Sequence, residues 1–432
     1  MSQAASAHRM PEIKVPGMLT LAGLVAGFAV GLVLSGTAAH TGPAALDQAK
    51  AIAGPVGKLW LQALQMTILP LVSGMLFTGI IQTAKATGAG AIAKRTMSWI
   101  VGVLAVSSLV GAAVMTSLLA FFDPPRGFAP PADASATQAA PSMADFFNAI
   151  LPDNVVQSAA NGAMLPVILF VALFALAATR LPEDLREALA MVFEGIAGAM
   201  MVVIGWVLKL APIGVFALGL TLAAGNGFAA IGALAQYIVL VASCGFVLLL
   251  LAYPVAVLVA RKPLGAFASA VLPSQVVAIS TQSSLASLPA MLAGCNKLRV
   301  RGTSSEFVLP IAVTLFRATS PAMNVGVAIY AAHIAGVPLS AGALAAGIIV
   351  GFITTFGSAS VPGTITFILN TAPIAAAMGV PLWPLGILVA VEMLPDIMRT
   401  LGNVTMDVAV TCAVDTAMDL PDEEDAEIAT VH

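Results

Sequence analysis

The chain has 432 residues, of which 59% are hydrophobic and only 9% are charged. A soluble globular domain carries about 25% charged residues, so this composition excludes an ordinary soluble protein and predicts a helical protein that crosses a membrane several times. The net charge of −3 and the scarcity of Lys and Arg exclude a phosphate-binding surface. We therefore expect the lipid bilayer as a partner, and no nucleic acid.

Long apolar runs predict the membrane spans. The N-terminal tail, 1–17, is polar and has no evident cleavage site, so the run that follows it is a predicted span rather than a signal peptide. Runs of about 17–25 apolar residues are long enough to cross a bilayer. The predicted spans are about 18–36, 54–82, 93–122, 161–179, 187–222, 228–260, 303–334 and 382–417.

Two further apolar segments differ from these spans because small and polar residues interrupt their middles. They cover about 263–296 and 338–379, and their centres read ISTQSSLASLP and TFGSASVPGT. Irregular backbone survives at membrane depth only where protein or a water-filled cavity satisfies its polar groups. Paired interrupted segments also point to the binding site of a transporter. We predict two re-entrant helical hairpins with their tips inside the membrane.

The distribution of Lys and Arg predicts the orientation, because cytoplasmic loops are enriched in both. Placing most of the basic loops inside gives one consistent threading, with both termini in the cytoplasm and the Pro- and Ala-rich loop 123–148 outside. The acidic tail 418–432 is then a solvated cytoplasmic end. Since no nucleophile–base pair, metal triad or phosphate-binding loop appears, we expect neither an enzyme nor a bound cofactor.

The last predicted span carries an unusual row of polar residues. Glu392, Asp396, Arg399, Asn403 and Asp407 follow one another at intervals of three or four residues, which places them in one narrow stripe of a helix. A charge at the bilayer centre costs roughly 2.5–3.5 kcal/mol. The stripe must therefore face protein, ions, water or substrate.

A binding pocket is one explanation of this stripe. The guanidinium of Arg399 suits a carboxylate, and the carboxylate of Asp396 suits an ammonium group. Together they describe a pocket for a zwitterion with an extra acid group. The alternative is an internal ladder of ion pairs that only orients helices. We also expect Pro395 to interrupt the helix and to free a backbone carbonyl near residue 391.

Five segments carry a resemblance by their order and spacing: NGAMLP (161–166), APIGVFAL (211–218), QSSLASLP (282–289), SASVPGT (358–364) and DIMRTLGNVTMD (396–407). Together they resemble the dicarboxylate/amino acid:cation symporter family, the glutamate and aspartate transporters. The resemblance runs from about residue 18 to 417. It implies an all-α polytopic protein with eight transmembrane helices and two re-entrant hairpins, which moves small acidic substrates across a cell inner membrane.

The resemblance further implies two domains and an elevator-like movement. The scaffold, 18–92 and 149–225, would form a homotrimer. The transport domain, 93–122 and 226–417, would carry both hairpins and move the substrate vertically through the membrane. The second hairpin would be the gate.

Roles for residues of the last span also follow from the resemblance. Arg399 would hold the side-chain carboxylate of the substrate, Asp396 would take its amino group, and Thr400 and Asn403 would contact it. Asp407 and Asn403 would be sodium ligands. Family members for neutral amino acids lack the arginine, and members for plain C4-dicarboxylates lack the aspartate. Because this chain keeps both, the resemblance favours an acidic amino acid.

The hairpin tips and the seventh span supply further candidate contacts. The first tip would contact the main-chain carboxylate of the substrate, and the second would contact substrate and ion through its backbone. The candidates are Ser283 and Ser284 in the first tip, Ser358, Ser360, Val361, Pro362 and Gly363 in the second, and Thr314, Arg317 and Ser320 in the seventh span.

The seventh span departs from the family, which has a signature Asn-Met-Asp-Gly-Thr where this chain reads FRATS (316–320). Two ion ligands of that signature are replaced by Phe316 and Ala318, so one sodium site should be absent. Arg317 replaces the methionine, and three readings of it stay open. Its guanidinium stands in for a bound cation, which weakens or abolishes sodium coupling; it pairs with an acid as structural support; or it binds a dicarboxylate or tricarboxylate substrate.

Glu392 is a second departure, because the family tends to have aspartate there. Burial disfavours the charged form of a carboxyl group, so Glu392 is a candidate proton carrier; a helix-packing hydrogen bond is the alternative. The coupling ion is therefore Na⁺ or H⁺. Competing functions are a transporter of C4-dicarboxylates or other di- or tricarboxylates, a passive channel or uniporter, and a transport-dead sensor that keeps the pocket.

Overall fold

The computed structural model describes residues 17–41, 44–87, 90–123, 153–357 and 363–417, and their regular elements are all helical. Within a bilayer a helix satisfies its own backbone polar groups, which is why apolar runs of this length adopt it. The helices are α1 Gly17–Thr41, α2 Ala44–Thr87, α3 Ala91–Leu119, α4 Val155–Ala160, α5 Met164–Ala178, α6 Glu183–Lys209, α7 Ala211–Asn226, α8 Phe228–Pro254, α9 Leu264–Thr281, α10 Ser284–Lys297, α11 Gly302–Leu315, α12 Ser320–Ile334, α13 Ala341–Thr355, α14 Gly363–Ala377, α15 Trp383–Leu388 and α16 Met393–Thr416.

The fold class predicted from the sequence is confirmed. Six of the described helices are long and apolar enough to cross a membrane: α1, α2, α3, α6, α8 with its π-helical continuation Val255–Val259, and α9. The first of the predicted hairpins corresponds to α9 and α10, which pack against each other. Helix α9, although predicted to be one arm of a hairpin, is by itself long and apolar enough to cross a membrane. The two hairpins and the total of eight spans therefore stay predictions.

The fifth predicted span, 187–222, is not continuous in the structure. It consists of α6 and α7, which meet at Leu210. Pro212 explains the break, because a proline is tolerated in the first turn of a helix but not in its interior, and Pro212 lies in the first turn of α7.

The last two predicted spans are broken as well. The seventh is interrupted between Leu315 and Ser320, where Phe316 has extended backbone angles. In the eighth, turn residues separate α15 from α16, and Glu392 is the residue before α16 begins. Pro395 lies in the first turn of α16, where its missing N–H would have had no partner in the helix. The interruption predicted at Pro395 therefore lies just before Met393 instead.

Two groups of helices pack closely. Helix α1 lies along α7, and α2 lies against α5, α6 and α7, whereas α16 lies against α8, α9 and α11, and α12 lies against α3 and α8. Small residues permit the closest approach: a side chain at Gly27 would overlap the carbonyl of Phe216. This grouping places the broken helices α11 and α12 beside α16. The division into a scaffold and a transport domain stays a prediction.

Candidate functional site

Thr319, in the break between α11 and α12, forms hydrogen bonds to the polar stripe of α16. The backbone N–H of Thr319 donates to Asn403 Oδ1 at 2.9 Å, and its hydroxyl lies 2.8 Å from the same oxygen and 2.9 Å from the Arg399 carbonyl oxygen. All three residues are buried. This contact brings Arg317, two residues before Thr319, to the level of the stripe.

Arg399 is the centre of a buried network of hydrogen bonds. Its Nε donates to Asp396 Oδ1 at 2.9 Å, its Nη1 donates to Asn324 Oδ1 at 2.8 Å, and its Nη2 donates to Glu392 Oε1. The residue is only 3% exposed. Because all three nitrogens of the guanidinium have partners in different directions, its plane is fixed.

Glu392 is held from its other side by Tyr237 of α8. The phenol of Tyr237 donates to Glu392 Oε2, and both residues are buried. The ring of Tyr330 lies 5.6 Å from that of Tyr237, but its hydroxyl donates to the Ala233 carbonyl oxygen at 2.6 Å. Tyr237, Glu392 and Arg399 therefore form one buried chain that links α8 to α16.

Asp407 has the opposite environment. It is fully buried, yet neither of its carboxylate oxygens accepts a hydrogen bond from the part of the chain that the structure describes. Arg317 lies within electrostatic range of Asp407, of Asp396 and of Arg399. A buried carboxylate without donors is costly unless a cation or a proton neutralises it, so Asp407 needs one of these two.

The other candidates of α16 and of the seventh span differ in position. Thr400 is buried, and its hydroxyl donates to the Asp396 carbonyl oxygen at 3.1 Å. Ser320, the first residue of α12, is buried with a hydroxyl that has no partner among the described residues. Thr314 is exposed, and its hydroxyl donates to the Pro310 carbonyl oxygen at 2.7 Å. The structure thus does not bring Thr314 into the buried network.

The hairpin candidates can be placed only in part. Ser283 caps the N-terminus of α10, where its Oγ accepts from the Ala286 N–H at 3.2 Å, and Ser284 is the first helical residue. Gly363 is the first residue of α14. The remaining candidates lie outside the described residues; they are Ser358, Ser360, Val361 and Pro362.

Three residues of the network were missed by sequence reasoning. Asn324 follows Ser320 by one helical turn, so a lone amide on the same face of a predicted span was an available signal. Thr319 lies inside the FRATS segment, but its partner Asn403 is distant in sequence. Tyr237 is a single aromatic residue in an apolar span, and nothing in its neighbourhood marks it.

The charged side chains of this cluster do not balance. Among the described residues it contains three carboxylates, those of Glu392, Asp396 and Asp407, and two guanidinium groups, those of Arg317 and Arg399. With every group ionised the cluster carries one negative charge. Adding an anion to it therefore calls for a proton or a cation.

A large cavity elsewhere in the structure has a different character. It has a volume of about 560 Å³. Its lining is apolar apart from Arg95 and Ser98 and includes Trp99, Leu251 and Val255 of α3, α8 and the π-helical turn. It offers one guanidinium and no carboxylate, so it lacks the paired charges that recognise a zwitterion. The Arg399 cluster is therefore the candidate functional site.

Comparison with known proteins finds relatives that match most of the chain. A proton/sodium-glutamate symport protein of Bacillus subtilis is 28% identical over 394 residues, which cover 89% of this chain and 88% of that protein. A proton/glutamate-aspartate symporter of Escherichia coli is 28% identical over 363 residues, 81% of this chain and 82% of that protein. A C4-dicarboxylate transport protein 2 of Bradyrhizobium diazoefficiens is 25% identical over 420 residues, 95% and 90% of the two chains.

A family model covers nearly the whole of the chain. The model described as the sodium:dicarboxylate symporter family matches residues 17–417, which include all described helices. This match and the full-length relatives confirm the family proposed from the five sequence segments, and they identify a transporter rather than an enzyme. The chain belongs to the sodium:dicarboxylate symporter family.

Proposed function

We propose that this protein is a secondary active transporter of the acidic amino acids aspartate and glutamate in a cell inner membrane. The observation that carries the proposal is the pair of Asp396 and the buried Arg399, joined at 2.9 Å on one face of α16. The guanidinium binds the side-chain carboxylate of the substrate, and the carboxylate of Asp396 binds its amino group. Thr400 and Asn403 complete the pocket on the same helix.

Sodium coupling is weakened or lost in this chain. Asn403 Oδ1 accepts the Thr319 N–H and lies 2.8 Å from the Thr319 hydroxyl, whose single proton goes to this oxygen or to the Arg399 carbonyl oxygen. Thr319 therefore competes with an ion for Asn403 Oδ1. Asp407 then lacks a companion ligand, and the guanidinium of Arg317 supplies the positive charge that it needs. The residual sodium site of Asn403 and Asp407 is replaced by a tethered cation.

The remaining parts of the proposal concern the whole assembly. Three copies form a homotrimer through the scaffold, each transport domain moves as an elevator, and both termini lie in the cytoplasm. Ser283 and Ser284 contact the main-chain carboxylate from the first tip. The second tip, which ends where α14 begins at Gly363, acts as the gate.

A dicarboxylate without an amino group is the second candidate substrate. Arg317 and Arg399 both lie near Asp396, and two guanidinium groups suit two carboxylates. The Bradyrhizobium relative is named as a C4-dicarboxylate transporter. A sensor that binds substrate without moving it is the third candidate.

Uptake into liposomes tests these alternatives. The purified protein is reconstituted, and uptake of labelled aspartate, glutamate and succinate is measured with a sodium gradient, with a proton gradient and with neither. We expect uptake of the two amino acids without sodium. We expect Arg399→Lys to reduce uptake about tenfold or more, because one ammonium cannot replace the fixed fork of donors.

Lys85→Gln is the matched control. It removes one cation from an exposed pair with Glu187, and such pairs contribute little, so uptake should not change. Preference for succinate would favour the dicarboxylate transporter, and strict sodium dependence would contradict the role of Arg317. Binding of aspartate without uptake under any gradient would favour the sensor.

A further inference from the structure

Arg399 pairs with a carboxylate of the protein itself. The same guanidinium that we assign to the substrate's side-chain carboxylate donates from Nη2 to a carboxylate already present, that of Glu392. This carboxylate is buried and reaches Arg399 from the residue before α16 begins. Glu392 therefore occupies Arg399 as the carboxylate of a bound substrate would.

Both carboxylates cannot hold Arg399 in their charged forms at low cost. With every group ionised the cluster already carries one negative charge, and an acidic amino acid brings another. Buried charges without a partner are strongly destabilising, by about 3–5 kcal/mol when one member of a pair is lost. Arg317 already lies within electrostatic range of Asp407, so the additional negative charge falls on the carboxylate that Arg399 releases.

We propose that Glu392 is an internal ligand of Arg399 that exchanges with the substrate carboxylate and takes up one proton as it leaves. The inference rests on the proposed binding of an acidic amino acid. In the exchange, the hydrogen bond from Arg399 Nη2 to Glu392 Oε1 breaks, and one from Nη2 to the substrate carboxylate forms. A proton released by the buffer acid, which becomes its conjugate base, reaches the site from bulk solution and bonds to a Glu392 oxygen. Substrate and proton then occupy the pocket together.

Tyr237 is the positioning residue of this exchange. Its hydroxyl donates to the charged Glu392 through Oε2, and a phenol oxygen can also accept a hydrogen bond. Tyr237 thus serves the glutamate in both of its protonation states, which avoids an unsatisfied buried group. The ionisable groups that face Glu392 are Arg399 and Asp396 from α16 and Tyr237 from α8.

Calorimetry of binding tests the exchange without requiring transport. Binding of L-aspartate to the purified full-length protein is measured in buffers with different ionisation enthalpies, with and without sodium, over a range of pH. The slope of the observed enthalpy against the buffer ionisation enthalpy counts the protons taken up. We expect close to one proton per aspartate. The affinity should then rise about tenfold for each unit by which the pH falls, as linkage requires.

Two variants separate this exchange from a structural role. Glu392→Gln should bind aspartate without proton uptake and with an affinity independent of pH. At alkaline pH it should bind more tightly than the wild type, because no charged side chain competes for Arg399. Tyr237→Phe should keep the proton uptake but move its midpoint to higher pH, since a donor to the charged carboxylate is lost.

Tyr330→Phe is the matched control for Tyr237→Phe. Its ring lies beside Tyr237, but its hydroxyl bonds to Ala233 and Gln236 rather than to Glu392, so the midpoint should not move. Aspartate binding by the wild type without proton uptake would overturn the inference and leave the proposed function standing, even where Glu392→Gln fails to fold. Failure of aspartate to bind at any pH would overturn both.

Discussion

Arg317 and Asp407 show how one residue can change which cation neutralises a buried carboxylate. Asp407 is fully buried and accepts no hydrogen bond from the described residues, and Arg317 is the cation within its electrostatic range. A guanidinium and a sodium ion both bring one positive charge, but only the guanidinium is covalently attached and independent of the external concentration. The difference predicts a specific response to sodium.

Arg317→Met should make the protein respond to sodium. Without sodium the affinity for aspartate should fall about tenfold or more, because Asp407 is left buried without a positive partner and one such pair is worth more than about 1.4 kcal/mol. High sodium should restore part of the affinity through an ion at Asp407. Equilibrium binding of labelled aspartate at several sodium concentrations measures both effects.

Two further variants control this result. Arg317→Lys keeps the charge and should show no sodium response. Arg317→Met combined with Asp407→Asn removes the pair altogether, so sodium should no longer restore affinity. An Arg317→Met protein with wild-type affinity and no response to sodium would contradict the assigned role.

At the scale of elements, the breaks in the helices position the site. The interruption before α12 lets Thr319 bond to Asn403, and the start of α16 at Met393 lets Glu392 turn toward Arg399. A second feature is the contact between α2 and the end of α13. The backbones approach so closely there that a side chain at Gly79 would overlap the Phe356 carbonyl, and one at Gly357 would lie 2.9 Å from the Leu76 nitrogen.

Gly79→Ala should therefore destabilise the structure described here. Overpacking a close contact costs about 1–3 kcal/mol, so thermal unfolding in detergent should occur at a lower temperature than in the wild type. Gly54→Ala is the matched control, because Gly54 lies in the same helix and a side chain there meets open space. Both alanines gain the same helix propensity. Equal melting temperatures for the two variants would contradict the close approach of α2 to Phe356.

At the scale of the whole molecule, orientation and assembly remain predictions from charge and resemblance. The described helices show many apolar side chains on their outer surfaces, such as Leu258, Trp206 and Leu173, which suits contact with lipid or with other copies of the chain. The three native cysteines are all buried. Labelling of the wild type by a membrane-impermeant maleimide should therefore be weak, so that labelling of an introduced cysteine can be measured against a low background.

Two single cysteines test the orientation. Asn161→Cys precedes α5 at the predicted outer end, and Asn296→Cys lies near the end of α10 at the predicted inner end; both positions are exposed. The maleimide should label position 161 in right-side-out vesicles and position 296 in inside-out vesicles. The reverse pattern would show that the membrane orientation is opposite.

Native mass spectrometry of the same protein should give three chains per particle.

Much of the fold and part of the site could be predicted from the sequence. The stripe from Asp396 to Asp407 was predicted to lie on one face of a helix, and it does lie on α16, because spacing within a helix is a local property. The single helix predicted over 187–222 was wrong at Leu210, since hydropathy alone does not reveal a break between two apolar helices. Thr314 was proposed as a substrate contact because of its position in the seventh span, yet its side chain is exposed.

The sequence by itself determined the helical membrane class, the family and the charged residues of the site, since hydropathy, helical spacing and short motifs depend on residues close together in the chain. Only the tertiary structure decided how those charges are satisfied. Tyr237 reaches Glu392 across 155 positions, and Asn324 reaches Arg399 across 75. Such contacts depend on how α8, α12 and α16 pack together. For this reason the contacts of Tyr237 with Glu392 and of Asn324 with Arg399 had no signature in the sequence, whereas the spacing of the stripe already allowed an ion pair between Glu392 and Arg399.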